Sequence, residues 1–439
     1  MRQAYRATVA HCLKKGSDPF GGGATPKGSE PFLECYEDGL LIVEDGHVVA
    51  VGDAATLLPQ LGADADVSEF PGKVIVPGFI DCHVHFPQLD IIASYGEQLL
   101  DWLDRYAYPA EAKFADRGHA EAVAAAFLDE LLRNGTTTAL VFGTVHAHSA
   151  DAIFEAAEAR GMRLIAGKVL MDINCPEYLR DDPVSAYTDS KALIERWHGK
   201  GRLGYAITPR FALTSSAEQL AAAGRLASEH PDVWIHTHLA ENEAEVEQIA
   251  KQFPESRSYL DVYDAHGLVR ERSVFAHCLH VDESDRGCMS TKGAAAAFCP
   301  TSNLFLGSGL FDLKAMRAAK VRCGLGTDVG GGTSLSMLRT ANEAYKVLHL
   351  QDQALPAAEA LYLLTLGAAE ALYLDEHVGN FERGKEADFV VLDPGATVIS
   401  ARRSRVATSI EETLFALTML ADDRHVAASY VAGKRAEIR

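Results

Sequence analysis

The sequence has few cysteines, and they follow no pattern that would join them. Its eight cysteines are scattered through 439 residues, and no two of them form a CxxC pair. A zinc ribbon or a redox-active pair is therefore not indicated, and reduced thiols predict a cytoplasmic protein. The first residues, MRQAYRATVAHCLKKG, lack the apolar core and cleavage site of a signal peptide. No run of about 18 apolar residues is present, so no membrane partner is predicted.

Positive charge is also scarce. The 41 Lys and Arg residues face 61 Asp and Glu residues, which gives a formal net charge of -20. Binding to nucleic acid needs clustered cations against the phosphates, so no nucleic-acid partner is expected. Neither GxGxxG nor GxxxxGK[ST] opens a helix, which disfavours the nucleotide-binding folds. The remaining composition, 48% hydrophobic and 23% charged, is that of an ordinary globular enzyme-sized chain.

The middle of the chain alternates strand and helix patterns. The stretch LLRNG (131–135) ends a helix, the strand TTTALVFG (136–143) follows, and the same order recurs as far as VRCGLGTD (321–328). This alternation predicts a parallel sheet with covering helices, which is either a doubly wound sheet or a (β/α)8 barrel. Strand patterns joined by an Asp45-Gly46 hairpin turn precede this region, and further strand patterns follow Leu374.

The stretch FIDCHVHFPQ (79–88) contains two histidines one residue apart. Side chains of a strand repeat every two residues, so His83 and His85 share a face near the end of the strand. Three more strand ends carry groups that can bind a metal, namely His238, His277 and Asp328. Each one alone is more often incidental, but together they favour a metal site at one end of a barrel. Zinc suits this ligand set, and iron is a rival.

The same argument does not decide which histidine of the strand IHTHLAEN binds the metal. His236 lies one alternation before His238 and so projects from the same face of the strand. Either histidine could therefore be the ligand on the residue pattern alone.

The motifs PGFIDCHVHFPQ, HTHLAEN, AHCLH and GLGTDVGGG together resemble the amidohydrolase superfamily. Within it, HFPQ, LLDWLDRYAYPAE, ITPRFALT and GTDVGGGTSLSML are similar to the guanine-deaminase family. The resemblance implies an α/β fold, a (β/α)8 barrel with a small β-sandwich domain formed by both chain ends. The domain boundaries it predicts are 1–76, 77–375 and 376–439. It also implies a homodimer.

The resemblance further implies one zinc ion per chain, or iron, bound by His83, His85, His238 and Asp328. A metal-bound hydroxide would attack C2 of guanine, and ammonia would leave to give xanthine. Glu241 would move protons to ring N3 and to the leaving amine. Asp328 would take the proton of the water, and His277 would either orient the hydroxide or bind the metal. We expect the neighbouring Glu243 and Glu245 to face solvent in the first turn of a helix.

For the substrate, the resemblance implies contacts with the purine edge. Gln88 offers a donor and an acceptor, Arg210 offers donors to O6 and N7, and Phe211 offers an apolar surface. The segment 94–116 is expected to be a long loop whose aromatic residues, Trp102, Tyr106 and Tyr108, close over the site. The complete predicted substrate set is His85, Phe86, Pro87, Gln88, Arg210, Phe211, His238, Glu241 and Asp328.

Two alternative functions remain open on the sequence. One is deamination of a related heterocycle, namely 8-oxoguanine, a pterin or an aminotriazine. The other is a non-catalytic amidohydrolase-like scaffold, although the chain keeps every candidate ligand. Lys168 is interpreted as an ordinary buried or paired lysine and not as the bridge of a second metal. The HxE triplet at His119–Glu121 has no PCxxC partner and is interpreted as part of a helix face.

Overall fold

Residues 2–13, 32–61, 66–96 and 98–438 are described by a computed structural model. Elements are labelled β and α in chain order. The N-terminal part contains β1 (Arg2–Cys12), β2 (Leu33–Glu44), β3 (His47–Asp53), α1 (Ala54–Leu57) and β4 (Asp66–Pro77).

The middle part alternates strands and helices, as the sequence predicts. It contains β5 (Phe79–His85), α2 (Leu99–Trp102), α3 (Tyr108–Ala112), α4 (Arg117–Arg133), β6 (Thr136–Phe142), α5 (Ala147–Arg160), β7 (Arg163–Gly167), β8 (Val169–Leu170), α6 (Pro183–Trp197), β9 (Leu203–Pro209), α7 (Ala217–Glu229), β10 (Trp234–Leu239), α8 (Glu243–Gln252), α9 (Tyr259–Ala265), β11 (Ser273–His277), α10 (Glu283–Lys292), β12 (Ala295–Phe298), α11 (Pro300–Phe305), α12 (Leu313–Ala318), β13 (Arg322–Leu325), α13 (Met337–His349), α14 (Ala357–Leu364) and α15 (Leu366–Ala371).

The C-terminal part returns to strands around two helices. It contains β14 (Phe389–Leu392), α16 (Val398–Ser404), α17 (Ile410–Leu420), β15 (Val426–Val431) and β16 (Lys434–Arg435). Short 3₁₀ segments lie at Leu58–Gln60, Phe86–Ile91, Lys113–Ala115, Glu177–Leu179, Ala212–Thr214 and Asp423–His425, and a π turn lies at Leu103–Ala107.

The strands of the middle part form the predicted barrel. Eight parallel strands follow the order β5, β6, β7, β9, β10, β11, β12 and β13, and the short β8 pairs with β9. The ring is completed where Asp328 N–H donates to the His83 carbonyl at 2.8 Å and His85 N–H donates to the Val329 carbonyl at 2.8 Å. Every residue of β5 is buried, as expected for parallel strands covered on both faces.

Both chain ends build the small domain, as predicted. Its strands form one continuous sheet in the order β16, β15, β14, β4, β1, β2 and β3. The β2–β3 connection is the predicted hairpin turn, with Asp45 at φ 51° and Gly46 at φ 82°. Two consecutive left-handed residues are what a tight type I′ hairpin turn requires. The domain boundaries 1–76, 77–375 and 376–439 stay a prediction.

Capping residues set where α4 begins and ends and where α7 begins, and so where the strands after these helices start. The Asp116 side chain accepts a hydrogen bond from His119 N–H and so begins α4. Asn134 and the left-handed Gly135 (φ 84°) end it, which turns the chain into β6. The Ser216 side chain accepts a hydrogen bond from Gln219 N–H and begins α7 in the same manner.

Apolar side chains fill one end of the barrel and leave the other end polar. A buried cluster takes Ile80, Leu140, Ile165, Trp234 and Val274 from five strands and packs them against residues 368–378. Trp234 N–H donates to the Leu372 carbonyl at 2.8 Å, which ties this end to the segment after α15. Burial of these side chains fixes the strands, so groups at the carboxyl ends of the strands are held on a rigid frame.

Candidate active site and metal centre

Four of the predicted ligand residues meet at the carboxyl end of the barrel. The side chains of His83, His85, His238 and Asp328 are buried, and one ligand atom of each lies within 4.8 Å of the others. His85 Nε2 is 3.2 Å from both His83 Nε2 and His238 Nε2. Asp328 Oδ1 is 3.0 Å from His83 Nε2 and 3.2 Å from His85 Nε2. We call these four residues the ligand cluster.

The protonation states in the ligand cluster fit a divalent metal. Burial lowers the pKa of His85 to about 3 and lowers that of His238 well below its usual range, so both imidazoles are neutral. Burial alone would raise the pKa of Asp328, but the histidines around it hold that pKa well below the usual value. Neutral imidazoles and an ionised carboxylate are the forms that bind a metal cation.

Hydrogen bonds behind the ligand cluster orient its rings. His238 Nδ1 lies 2.6 Å from the Arg210 carbonyl and donates to it, which leaves Nε2 unprotonated and facing the cluster. His236, the alternative ligand, lies outside the cluster: its Nε2 is 2.7 Å from His83 Nδ1. The structure therefore places His238 with the other ligands and His236 one step deeper in the barrel, behind His83.

Asp81 lies next to the ligand cluster and supports its main chain, and it was not among the site residues predicted from the sequence. Its Oδ1 accepts hydrogen bonds from His83 N–H and Thr327 N–H, each at 3.1 Å, and Oδ2 accepts from the Thr327 hydroxyl. Burial raises the pKa of Asp81 to about 7. The side chain joins the first barrel strand to the turn that carries Asp328. The sequence feature that could have indicated this role is the presence of an acidic residue in a strand that is otherwise predicted to be buried.

Glu241 and His277 lie beside the ligand cluster. Glu241 Oε2 is 3.3 Å from His277 Nε2, and Glu241 Oε1 accepts a hydrogen bond from the Ser308 hydroxyl at 3.3 Å. Burial raises the pKa of Glu241 well above its usual range, and the Asp328 carboxylate raises it further. His277 Nε2 is 3.7 Å from Asp328 Oδ2, and its Nδ1 is 2.8 Å from Asn303 Oδ1. A carboxyl group with a raised pKa thus faces the same space as the ligand cluster.

The expected solvent exposure of Glu245 is wrong, whereas Glu243 is exposed as expected. Glu245 is fully buried, and it accepts hydrogen bonds from the N–H groups of Glu241 and Asn242 at 3.0 and 3.2 Å and from the Tyr259 hydroxyl at 2.6 Å. Helix α8 begins at the barrel mouth, so one side of its first turn faces the interior. Glu245 therefore fixes the main chain that carries Glu241.

The predicted purine contacts are buried near the ligand cluster. Gln88 Oε1 accepts a hydrogen bond from Gly330 N–H at 3.1 Å, and Gln88 Nε2 lies 3.4 Å from His85 Nδ1. The Phe211 ring lies 6.3 Å from the His238 ring. Pro87 is buried in the 3₁₀ segment that follows β5.

Two predicted contacts have structural partners that the sequence analysis did not anticipate. Arg210 Nη1 donates to both carboxylate oxygens of Glu111, at 2.8 and 2.7 Å. The motif LLDWLDRYAYPAE ends at Glu111, but no role was assigned to this residue from the sequence. The Phe86 ring packs against the rings of Phe114 and Phe127, with centroids 5.2 and 6.1 Å apart, so it belongs to the core around α4.

The prediction of a long loop over 94–116 is wrong. Most of this segment is folded into α2, the π turn, α3 and a 3₁₀ turn. Its sequence explains the helices, because LLDWLDRYAYPAEA consists mostly of good helix formers and Pro109 lies in the first turn of α3. Trp102 and Tyr108 are buried, and Trp102 N–H donates to the Ser94 carbonyl at 3.1 Å.

Two further interpretations from the sequence are confirmed. Lys168 is buried and forms an ion pair with Asp181, as expected for a paired lysine. His119 and Glu121 lie on α4, where Glu121 is exposed and pairs with Arg117 at 2.7 Å. None of the helices in the described part of the chain has both the length and the apolar character that crossing a membrane requires.

Known proteins match the chain over nearly its whole length. The amidohydrolase family matches residues 74–436. Guanine deaminase of Escherichia coli K12 is 51% identical over 402 residues, which cover 92% of each chain. The solved E. coli guanine deaminase has a TM-score of 0.95 at 48% identity and covers 99% of each chain. A guanine deaminase from C. acetobutylicum, with guanine bound in its active site, has a TM-score of 0.88 at 25% identity and full coverage of both chains.

Proposed function

The chain belongs to the amidohydrolase family, and we infer from its similarity to guanine deaminases that it hydrolyses guanine to xanthine and ammonia. The observation that carries this function is the full-length match to guanine deaminases, one of which was solved with guanine bound. In the reaction the bond between C2 and the amino nitrogen breaks. The oxygen of water bonds to C2, one of its protons ends on ring N3, and the other goes to the amino nitrogen, which leaves as ammonia.

The family and the ligand cluster indicate a metal centre. We propose that the metal is zinc, one ion per chain, held by His83, His85, His238 and Asp328. Three imidazole nitrogens and one carboxylate are a set that zinc binds well, with iron as the rival. When bound, the metal lowers the pKa of water towards about 7 and so supplies hydroxide at neutral pH.

We propose that Glu241 moves protons between the water, ring N3 and the leaving amine. Its raised pKa supports this role, because a carboxyl group that holds its proton more strongly than usual can carry that proton to N3. After donating, the carboxylate can accept the next proton and pass it to the amine. Asp328 Oδ2 and His277 Nε2 face the same space, and we assign them to accepting a proton from water and to orienting it.

The purine ring is proposed to bind between the ligand cluster and α3. We assign ring contacts to His85, Phe86, Pro87, Gln88, Arg210, Phe211, His238, Glu241 and Asp328. Support comes from the burial of Gln88, Arg210 and Phe211 beside the cluster, where unpaired polar groups are costly. Arg210 has donors only, so it suits the 6-oxo group of guanine and opposes the 6-amino group of adenine. For Phe86 the proposed part is its main chain, since its ring packs in the core.

The finer assignments of assembly and compartment are proposals as well. We propose a cytoplasmic homodimer with domain boundaries at 1–76, 77–375 and 376–439. Reduced, scattered cysteines support the compartment, because the described cysteines are all free. Light scattering on the purified chain tests the dimer, and a monomeric mass would overturn it.

The function is tested by following guanine by ultraviolet absorbance while ammonia is measured. Guanine should give xanthine and ammonia in equal amounts. The same assay with 8-oxoguanine, a pterin and an aminotriazine tests the related heterocycles, and a higher kcat/KM for any of them would displace guanine. Chelation should abolish turnover, and zinc should restore it. A purified chain without stoichiometric metal and without turnover of guanine would favour the non-catalytic scaffold.

A further inference from the structure

Glu111 is a buried carboxylate that no part of the reaction above uses. It lies on α3, is fully buried, and accepts three hydrogen bonds. Two come from Arg210 Nη1 at 2.8 and 2.7 Å, and one comes from Gln88 Nε2 at 2.9 Å. It therefore joins two residues that are 23 positions before it and 99 positions after it in the chain.

We propose that Glu111 is a positioning residue that aims Gln88 and Arg210 together at the 6-oxo edge of the purine. The inference rests on the proposed function and names the residue that sets its choice of ring. We call Gln88, Glu111 and Arg210 the ring-reading group.

The hydrogen bonds of Glu111 fix the guanidinium of Arg210. Among the described residues, Glu111 alone accepts hydrogen bonds from this guanidinium, and it does so through Nη1. A guanidinium is planar and rigid, so holding one nitrogen orients the donors on the others. The Tyr108 ring lies 5.2 Å from the Arg210 Cζ and limits the tilt of the plane. Tyr108 and Glu111 are three residues apart on α3 and thus share one face of that helix.

Glu111 also decides which way the Gln88 amide points. Gln88 Nε2 donates to Glu111 while Gln88 Oε1 accepts from Gly330 N–H at 3.1 Å. The opposite orientation would place the amide oxygen against a carboxylate and the amide nitrogen against an N–H group. Without the carboxylate, Gln88 Nε2 loses its shortest hydrogen bond, and the amide is held only by Gly330 N–H and by the 3.4 Å contact of Nε2 with His85 Nδ1.

The charge of Glu111 has a second effect on binding. An isolated guanidinium in a buried site costs much free energy, whereas paired with a carboxylate it is neutral as a unit. The pair therefore offers directed donors to a neutral purine base without an uncompensated charge. Since its partners are Gln88 and Arg210 and not the ligand cluster, loss of Glu111 should alter ring binding and leave metal binding intact.

The proposal is tested with the holoenzyme and two ligands that cannot be deaminated at C2. Hypoxanthine keeps the 6-oxo edge but has no 2-amino group, and purine lacks both. Glu111→Gln should keep about one metal per chain, raise the KM for guanine about tenfold or more, and weaken hypoxanthine by a similar factor. The affinity for purine should change less than threefold, so the ratio of the hypoxanthine affinity to the purine affinity should fall.

A conservative variant and a matched control complete the design. Glu111→Asp keeps the buried charge with a shorter reach, so it should fold even where Glu111→Gln does not, and it should lose hypoxanthine affinity to a smaller extent. Asp129→Asn removes the carboxylate charge from a different Arg–carboxylate pair, which is partly buried and lies away from the site, with Arg160 2.8 Å from Asp129. It should leave the KM and both affinities unchanged.

Three results would overturn the proposal. In the first, both Glu111 variants bind hypoxanthine as tightly as the parent does. In the second, the affinities for hypoxanthine and purine fall by the same factor. In the third, Glu111→Asp loses its metal. A failure of the proposed function would look different, because the parent protein itself would neither deaminate guanine nor prefer hypoxanthine to purine.

Discussion

Two neighbouring parts of the site are held in place by different means. The ligand cluster is positioned by the main chain, because its members lie on β5, on β10 and in the turn after β13. The first and the last of these segments hydrogen-bond to each other, and β10 is held in the same barrel between β9 and β11. The ring-reading group is positioned by side chains that bond to one another across long separations in the chain. The first arrangement survives the loss of one side chain, whereas the second is built from the side chains themselves.

This difference separates the effects that substitutions should have. Removing one ligand leaves the strands and the other ligands where they are, so the loss falls on metal binding. Removing one member of the ring-reading group frees its partners, so the loss falls on the affinity and choice of ring. The predictions below test whether the two effects can be separated.

The largest effect is expected for the ligand cluster. His83→Ala removes a nitrogen that faces His85 and Asp328 at 3.2 and 3.0 Å, and it should lower bound metal well below one per chain and abolish turnover. Metal analysis and the ultraviolet assay measure both. Full metal occupancy with activity in His83→Ala would remove this residue from the cluster.

Glu241→Gln should give the next largest loss. Glutamine keeps the size of the side chain and cannot carry the proton, so turnover should fall by about 10² or more while metal content stays at the parental level. The test is kcat measured beside metal content. Near-parental kcat in this variant would mean that Glu241 is a buried carboxyl group of the helix entrance and moves no proton.

Arg210→Met breaks the ring-reading group and should spare the ligand cluster. The loss leaves Glu111 without its cationic partner and guanine without the Arg210 donors at the 6-oxo edge. At about 1–3 kcal/mol per unmet group, kcat/KM should fall about five- to 150-fold. Metal content should not change, and the gap between guanine and 2-aminopurine should narrow. Parental kcat/KM for guanine would show that Arg210 does not read the ring.

The ligand cluster could be predicted because each of its positions follows a local rule. A period of two puts His83 and His85 on one face, and a barrel brings the ends of distant strands together. The same period could not choose between His236 and His238, since both share a face. That choice depends on depth along the barrel axis, which only the packed strands define.

The ring-reading group could not be predicted in full, because the residues around Glu111 do not show what its carboxylate contacts. It stands in a run of good helix formers, where an acidic residue ordinarily faces solvent. Only the packing of α3 against the barrel mouth brings it to Arg210. Glu245 was assigned to the surface for the same reason. The barrel itself was predictable, because hydrophobic strands and capped helices repeat in order along the chain.

His277 is positioned partly by the main chain and partly by a side chain, and the smallest effect on turnover is expected when its side-chain partner is removed. Its main chain is set by the end of β11, where its φ of 71° is left-handed, while its ring is oriented by a side chain, through Nδ1 at 2.8 Å from Asn303 Oδ1. Asn303→Leu removes the acceptor and leaves the main chain in place. Turnover should fall about tenfold with metal content retained, the lower end of what loss of such a supporting hydrogen bond costs.

Asn303→Asp is the control, since it keeps an oxygen at the same position and should lose clearly less turnover than Asn303→Leu. Equal losses in the two variants would mean that packing at this position matters and the hydrogen bond does not, and His277 would then be positioned by its main chain alone, like the ligand cluster.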